Sequence, residues 1–399
     1  MDTAARSSPA GQRPVAGRQV RPRRESRYDL LMLIPALALL GLGLVMVGSS
    51  SISIADRDFG TPFYYLYRQG VFVAAGLIAA WLVLQVPLKV WERIGPLLLL
   101  VGFFSLILVL LVGREVNGSV RWISLGPVNL QVSEFFKLFM VVYLAGYIQR
   151  HEVAVRETTS AFLRPMALLV LACALLLLEP DFGAAAVLVV TVLGMLFLAG
   201  VRWWLFGVLV LAICGVAAML AVSAPYRLVR MTTFLNPWAD PYDSGFQLTQ
   251  ALIAFGRGEW LGVGLGGSIQ KLFYLPEAHT DFLFAVMAEE LGLVAVITVI
   301  ALYTLLVWRA LQVGRSAWLA DRAFAAYLAY GLALGICLQV FINIGVNMGI
   351  LPTKGLTLPL MSYGGSSIVA TCIAVALILR VDHENRFDEN GKPRGGEPW

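Results

Sequence analysis

KLFYLPEAHTDFLFAVMAEELG, residues 271–292, joins the longest polar interruption of the chain to the start of an apolar run. Pro276 lacks a backbone donor and restricts Leu275, so it ends whatever precedes it. Thr280 is placed to cap the helix that follows, which puts Asp281 in its first turn. Ala285, Ala288 and Gly292 then fall on the same helical face below the carboxylate. Such a stripe of small residues lets a neighbouring helix or a lipid chain approach the backbone. The carboxylate at the water–membrane boundary has two readings: a group that complements the helix dipole, or a group that does chemistry.

Working outward, the composition assigns the class. Hydrophobic residues are 59% of the chain and charged residues 14%, against roughly 25% charged in soluble proteins. Apolar runs long enough to cross about 30 Å of hydrocarbon occur near 30–48, 69–86, 94–112, 134–148, 165–178, 184–200, 203–222, 283–307, 323–345 and 361–379. The sequence therefore predicts an all-α integral membrane protein of about ten transmembrane helices, with a large extracytoplasmic loop (223–282) before the eighth.

The net charge of +5 has a local origin, because residues 1–27 hold seven arginines against Asp2 and Glu25. A basic tail of this kind is no folded nucleic-acid surface. It is expected to be disordered and to remain in the cytoplasm by the positive-inside rule. Three regions follow: the arginine-rich tail 1–27, a membrane domain 28–380 and a cytoplasmic C-terminal tail 381–399. An even number of spans returns the C-terminus to the cytoplasm and places Asp281 outside. Cys173, Cys214, Cys337 and Cys372 all lie within apolar runs and match no zinc or redox spacing. Three histidines are too few for a histidine-rich metal site.

The outward segments carry the remaining candidates. Ser133 is expected to cap the span that begins beside it, with Glu134 and Lys137 on one face of its first turns. A lysine at that end of a helix calls for an anion, either Glu134 itself or a ligand. Arg121 beside Trp122 suits an interfacial anchor. In the reversal EPDFG (179–183), Asp181 can cap the next span, and Glu179 and Asp181 together also suit a divalent cation. Arg227, Arg230, Arg257 and Lys271 supply cations along the long loop that suit phosphates. Ser244 can cap an amphipathic helix lying along the interface. GVGLGGS (262–268) lacks the ending of a phosphate loop and is a weak nucleotide signal. Gln339, Asn343 and Asn347 recur every four residues as one polar stripe, which interhelical hydrogen bonding explains.

PEAHTDF (276–282), MAEELG (287–292), NGSVRWISLG (117–126), EPDFG (179–183) and LPLMSYGGSS (358–367) resemble the SEDS family of bacterial cell-wall polymerases, in order and from about Tyr28 to Arg380. NPWADPYDSGFQLTQALIA (236–254) and VNMGILPTKGLTLP (346–359) are similar to its division branch more than to its elongation branch. The resemblance implies a peptidoglycan glycosyltransferase that polymerises lipid II at the septum, on the outer face of the inner membrane. It also implies partners: the class B penicillin-binding protein FtsI, and FtsQ, FtsL and FtsB as regulators. The family's essential aspartate matches Asp281.

Inverting sugar transfer needs a base for the acceptor hydroxyl and charge stabilisation for a departing pyrophosphate. That chemistry assigns Asp281 as the base. It places Arg121, Lys137, Arg227 or Arg230 on the pyrophosphate, with Glu134 orienting Lys137 and with His279 and Lys354 as further substrate contacts. A divalent cation (Mg or Mn) would be held by Asp181, Glu179 or Glu277, with no organic cofactor. Two influences oppose each other at Asp281, since a helix N-terminus lowers an acid's pKa whereas desolvation raises it. Two other function classes fit the same residues, a lipid II flippase that uses the polar stripe and a non-catalytic organiser of the division machinery.

Overall fold

The computed structural model describes residues 28–387 except 117–118, 127, 209, 212–214, 216–233, 244 and 354. Arg227, Arg230, Lys354, the Ser244 cap, the N-terminal tail and residues 388–399 lie outside the described residues, as does most of the run at 203–222, while 381–386 continue the last helix instead of starting a tail. The other nine apolar runs are helices: α1 (Leu30–Phe59), α2 (Tyr64–Gln85), α3 (Leu88–Val112), α4 (Val132–Arg150), α6 (Thr159–Leu178), α7 (Phe182–Leu198), α9 (Leu283–Leu319), α10 (Ala323–Asn347) and α11 (Gly365–Arg386). Between them lie the short α5 (Glu152–Glu157) and the interfacial α8 (Phe246–Gly258). Among the described residues, 8 helices are long and apolar enough to span a bilayer, and α7 is a shorter apolar helix. The protein is an integral membrane protein.

Burial sorts these helices into two shells. Helices α4, α10 and α11 are largely enclosed, whereas α2, α3 and α9 turn much of their surface outward. The outward faces carry Leu97, Leu100, Phe104 and Ile297, as expected where the solvent is hydrocarbon. Close packing holds the shells together at small residues. A Cβ on Gly43 of α1 would fall 2.6 Å from the Met361 backbone, and one on Gly76 of α2 would meet Cys372 of α11 at 3.0 Å.

One element was not expected. Strands β1 (Arg114–Val116), β2 (Ser119–Leu125) and β3 (Val128–Gln131) form a small antiparallel sheet above α3 and α4. Trp122 pairs with Gln131 and Leu125 with Val128. The two-residue Gly126–Pro127 connection is the local signal for a hairpin, with Gly126 at φ 75°.

The start of α9 also departs from expectation. Its N-cap is Phe282, without a side-chain cap, so Asp281 precedes the helix instead of occupying its first turn. Thr280 donates its hydroxyl to the Glu277 backbone carbonyl and carboxylate. Ser133 likewise caps nothing, because α4 begins one residue before it.

Ten residues into α9 the helix is broken. Gly292 sits at φ 73° and ψ −172°, which releases four backbone groups in a place where water cannot satisfy them. The loop after α8 takes all four. Val263 and Gly264 donate to the carbonyls of Glu289 and Glu290, each at 3.0 Å, and Leu293 and Val294 donate to those of Glu259 and Trp260 at 2.9 and 3.2 Å. This approach needs bare backbone: a Cβ on Gly258 would lie 1.9 Å from the Ala288 oxygen, and one on Gly262 2.2 Å from that of Glu290. The Ala285, Ala288 and Gly292 stripe is thus buried against protein and not against lipid.

Gly292→Ala forces a left-handed backbone onto alanine and sets its methyl 2.4 Å from the Gly262 nitrogen. It should lower the melting temperature of the detergent-solubilised protein, with about 1–3 kcal/mol from backbone strain alone. Gly41→Ala, which meets nothing within 4 Å, should not. Equal melting of the two variants would show that the break is not enforced by packing.

Candidate active site

Asp281 is positioned through its main chain. Its carbonyl accepts from the Asn343 amide at 3.0 Å and from the Asn347 amide at 2.9 Å. Asn343 also donates to the Leu356 carbonyl at 2.6 Å, which draws the 355–358 segment alongside. There Gly355 leaves room, since a Cβ on it would sit 3.0 Å from Asp281 Oδ2. Among the described residues the Asp281 carboxylate itself makes no hydrogen bond. Burial pushes it up to about 7, with Glu277 and Asp181 adding like-charge repulsion and Arg121 opposing. Desolvation therefore outweighs any pull from the helix end.

Arg121 and Asp181 reach this carboxylate from β2 and from the turn between α6 and α7. Arg121 donates to the Pro180 carbonyl, which fixes the guanidinium over that turn. Asp181 caps α7 as expected, accepting from Ala184 N at 3.2 Å, and also receives the Ser133 hydroxyl at 2.9 Å. Glu179 beside it is fully buried, and neither carboxyl oxygen has a partner among the described residues. Burial and the neighbouring Asp181 raise it to about 8, against the pull of Arg121. Glu277 is exposed and takes the Thr280 hydroxyl at 2.7 Å. Among the described residues no three of these side chains come together as a ready-made metal site.

Glu134 and Lys137 do form an ion pair, at 2.9 Å. It is buried, not superficial, and Lys137 donates in addition to Gln339 Oε1 at 2.9 Å. The pair lines a cavity of about 60 Å³ with Thr191, Gln339 and Thr371 among α4, α7, α10 and α11. His279 is buried against Tyr65 and Tyr363, with ring centroids 4.7 and 5.5 Å away. Its burial lowers the imidazole pKa, against the pull of Glu277, and keeps it neutral.

Two expected phosphate cations are otherwise engaged. Lys271 is buried and donates to Glu290 at 2.7 Å and to Ser49 at 3.0 Å. Arg257 pairs with Glu289 at 2.8 Å. Both acids are completely buried just before the Gly292 break. Glu289 also accepts from Ile269 and Gln270 backbone nitrogens, so these acids serve as fasteners for the loop. Sequence reasoning quoted MAEELG without finding this role. Adjacent acids in an apolar run were the available signal, since buried carboxylates require partners.

The FtsW/RodA/SpoVE profile, described as cell cycle protein, matches residues 29–387. The chain belongs to that family. The family's division branch is also the one named among its relatives: the probable peptidoglycan glycosyltransferase FtsW of Nitrosococcus halophilus is 61% identical over 363 residues, 90% of this chain and 93% of that one. The corresponding protein of Alkalilimnicola ehrlichii is 59% identical, covering 90% of each. Among solved structures, a chain from a peptidoglycan synthase complex that coordinates polymerization and crosslinking superposes with a TM-score of 0.74 at 33% identity, covering 90% of this chain and 99% of that chain. The rod shape determining protein RodA of Thermus thermophilus does so at 0.67 and 30%, covering 90% and 98%. The mostly helical membrane architecture of these solved relatives is thus the one adopted here.

Glu179 supplies a test of the site's electrostatics. Its folded pKa is raised from 4.5 to about 8, so the folded state holds a proton that the unfolded state releases, and stability must fall as pH rises between those values. Relative to Glu179→Gln, the wild-type melting temperature should drop progressively from pH 5 to pH 8 and level off above. A constant difference across that range would mean that the carboxyl is not protonated in the fold.

Proposed function

We propose that this chain is a peptidoglycan glycosyltransferase that polymerises lipid II at the division septum, with Asp281 as general base. The observation that carries the reading is a carboxylate raised to about 7 whose oxygens accept no hydrogen bond among the described residues. A general base works best when its pKa lies near the operating pH.

In this reading the acceptor's sugar hydroxyl lies against Asp281. Its oxygen attacks the anomeric carbon of the donor while the bond from that carbon to the diphosphate oxygen breaks, and the proton passes to Asp281. The leaving undecaprenyl diphosphate departs as a stable anion and needs no strong acid. Arg121, whose charge already bears on Asp281, would stabilise the departing charge as well. Lys137, oriented by Glu134 and Gln339, is the second cation for the diphosphate. His279, neutral between two tyrosines, lines the approach to the sugar.

A divalent cation would neutralise diphosphate charge. Glu179 and Asp181 would hold it, since Glu179 has two buried oxygens without partners. Glu277, exposed and turned to Thr280, is not among them. Two carboxylates are enough for an ion of the magnesium class, which takes its remaining ligands from substrate phosphate and water. The similar solved chain comes from a peptidoglycan synthase complex that coordinates polymerization and crosslinking, which supports a class B penicillin-binding protein, FtsI, as the partner; FtsQ, FtsL and FtsB are proposed as regulators on the family resemblance alone. Both tails are assigned to the cytoplasm by the charge of residues 1–27.

The cavity beside Lys137 is the feature that favours a flippase. At about 60 Å³ it is far below the roughly 300 Å³ or more that ligand sites occupy, and lipid II carries a disaccharide with a peptide.

Purified protein in detergent has no sidedness, so glycan strands formed there from lipid II and the partner require polymerase activity. Asp281→Asn should reduce that synthesis by about 10²–10⁴-fold at unchanged protein level. A variant that still polymerises at the wild-type rate removes Asp281 as the base.

The pH profile gives a second check. Asp281 must be ionised to accept a proton, so the rate should fall about tenfold per pH unit below its pKa of about 7. A flat profile down to pH 5 would assign the proton transfer elsewhere.

A further inference from the structure

An aspartate just ahead of a helix ordinarily spends its oxygens on the helix's unsatisfied N–H groups. Two others in this chain do so: Asp29 accepts from Leu31 N at 2.9 Å, and Asp181 accepts from Ala184 N at 3.2 Å. Asp281, one residue before the N-cap of α9, does not. The N–H of Ala285 in the first turn of α9 donates instead to Asn347 Oδ1 at 3.1 Å. Asn347 belongs to α10, so the cap is supplied from a different helix. The other end of the same side chain donates to the Asp281 carbonyl at 2.9 Å, where the Asn343 amide joins it at 3.0 Å. Both asparagines are buried, at 2% exposure for Asn343 and 0% for Asn347. Ordinary interhelical bonding between buried amides accounts for their having partners. It does not account for two amides converging on one carbonyl while one of them also reaches the first turn of the helix that follows.

We propose that Asn343 and Asn347 are positioning residues of the active site, which cap α9 from α10 and pin the Asp281 main chain so that its carboxylate stays uncommitted and faces the acceptor hydroxyl. The inference rests on Asp281 being the base. Asn347 shares the Ala285 N–H with the Phe282 carbonyl, at 3.1 Å each, and so caps α9 from α10. Together the two amides hold the acid against Gly355, among Arg121, Asp181 and Glu277, the charged groups that face it. Without Asn347, the Ala285 N–H keeps only its 3.1 Å bond to the Phe282 carbonyl, and the Asp281 main chain loses one of its two amide anchors. The carboxylate is then free to share that N–H in the way Asn347 does, which makes it both a weaker base and a misplaced one.

The test is steady-state polymerisation by the purified complex with lipid II, for Asn347→Ala and Asn343→Ala, with rates taken per monodisperse molecule on size exclusion. Both variants should lose at least about tenfold in kcat while KM stays within about twofold. In Asn347→Ala the acidic limb of the pH profile should move to lower pH by at least about half a unit, as the captured carboxylate becomes more acidic. A role in folding alone would reduce the yield of intact protein and leave both the rate per molecule and the limb in place, which overturns the proposal. If Asn347→Ala yields no intact protein, Asn343→Ala, which leaves the Ala285 bond untouched, decides by its kcat at constant KM. The two levels of inference separate cleanly. Activity in Asp281→Asn removes the base itself, whereas an inactive Asp281→Asn beside fully active asparagine variants removes only the positioning role.

Discussion

A backbone group freed inside a bilayer has no water to turn to, and this constraint shapes the outward half of the protein. Gly292 breaks α9 and frees two carbonyls and two N–H groups, and the loop from Glu259 to Gly264 satisfies all four. That loop is in turn fastened by Glu289 and Glu290, which are buried only because Arg257, Ser268, Lys271 and Ser49 meet them. Charges placed this deeply are retained as complete sets, since removing one partner leaves another uncompensated. The long outward loop is therefore part of the membrane core, and Asp281, at its end, inherits that rigidity.

The electrostatics of the site follow from the same enclosure. Asp281, Glu179 and Asp181 lie in one region with Arg121 as the shared cation, and burial raises the first two toward or above neutrality. Asp181 differs because it has hydrogen-bond donors, from Ser133 and Ala184. Three acids of similar chemistry thus differ through their partners: Asp181 accepts hydrogen bonds, and Glu179 and Asp281 accept none among the described residues. Such separation of neighbouring carboxylates is how a protein places an acid and a base in the same site.

Much of this was visible in the residues. The apolar runs named the spans, including those at 134–148 and 165–178, which extend into full helices. Asp281, Arg121, Glu179, Asp181, Glu134 and Lys137 were all candidates, and the structure gathers the first four around one another. The sheet of β1 to β3 was missed because short strands in a loop carry weak periodicity. Thr280 and Ser133 were misassigned as caps because their side chains had nearer partners in Glu277 and Asp181. Lys271 and Arg257 were read as free cations because their counter-ions lie 19 and 32 positions away in the chain.

Sequence alone determined the membrane class and the helical spans, and it singled out Asp281 as a candidate, since hydropathy and residue type act locally and need no knowledge of what packs where. Which face of the Ala285–Gly292 stripe meets protein, which cations are already paired, and why Asp281 remains uncommitted were decided only by the tertiary structure. The reason is that each depends on a donor arriving from a distant segment: the glycine loop to the break in α9, Lys271 to Glu290, and the asparagines of α10 to a carbonyl and an amide at the start of α9. A carboxylate's chemistry is set by its surroundings, and the chain folds those surroundings from several helices at once.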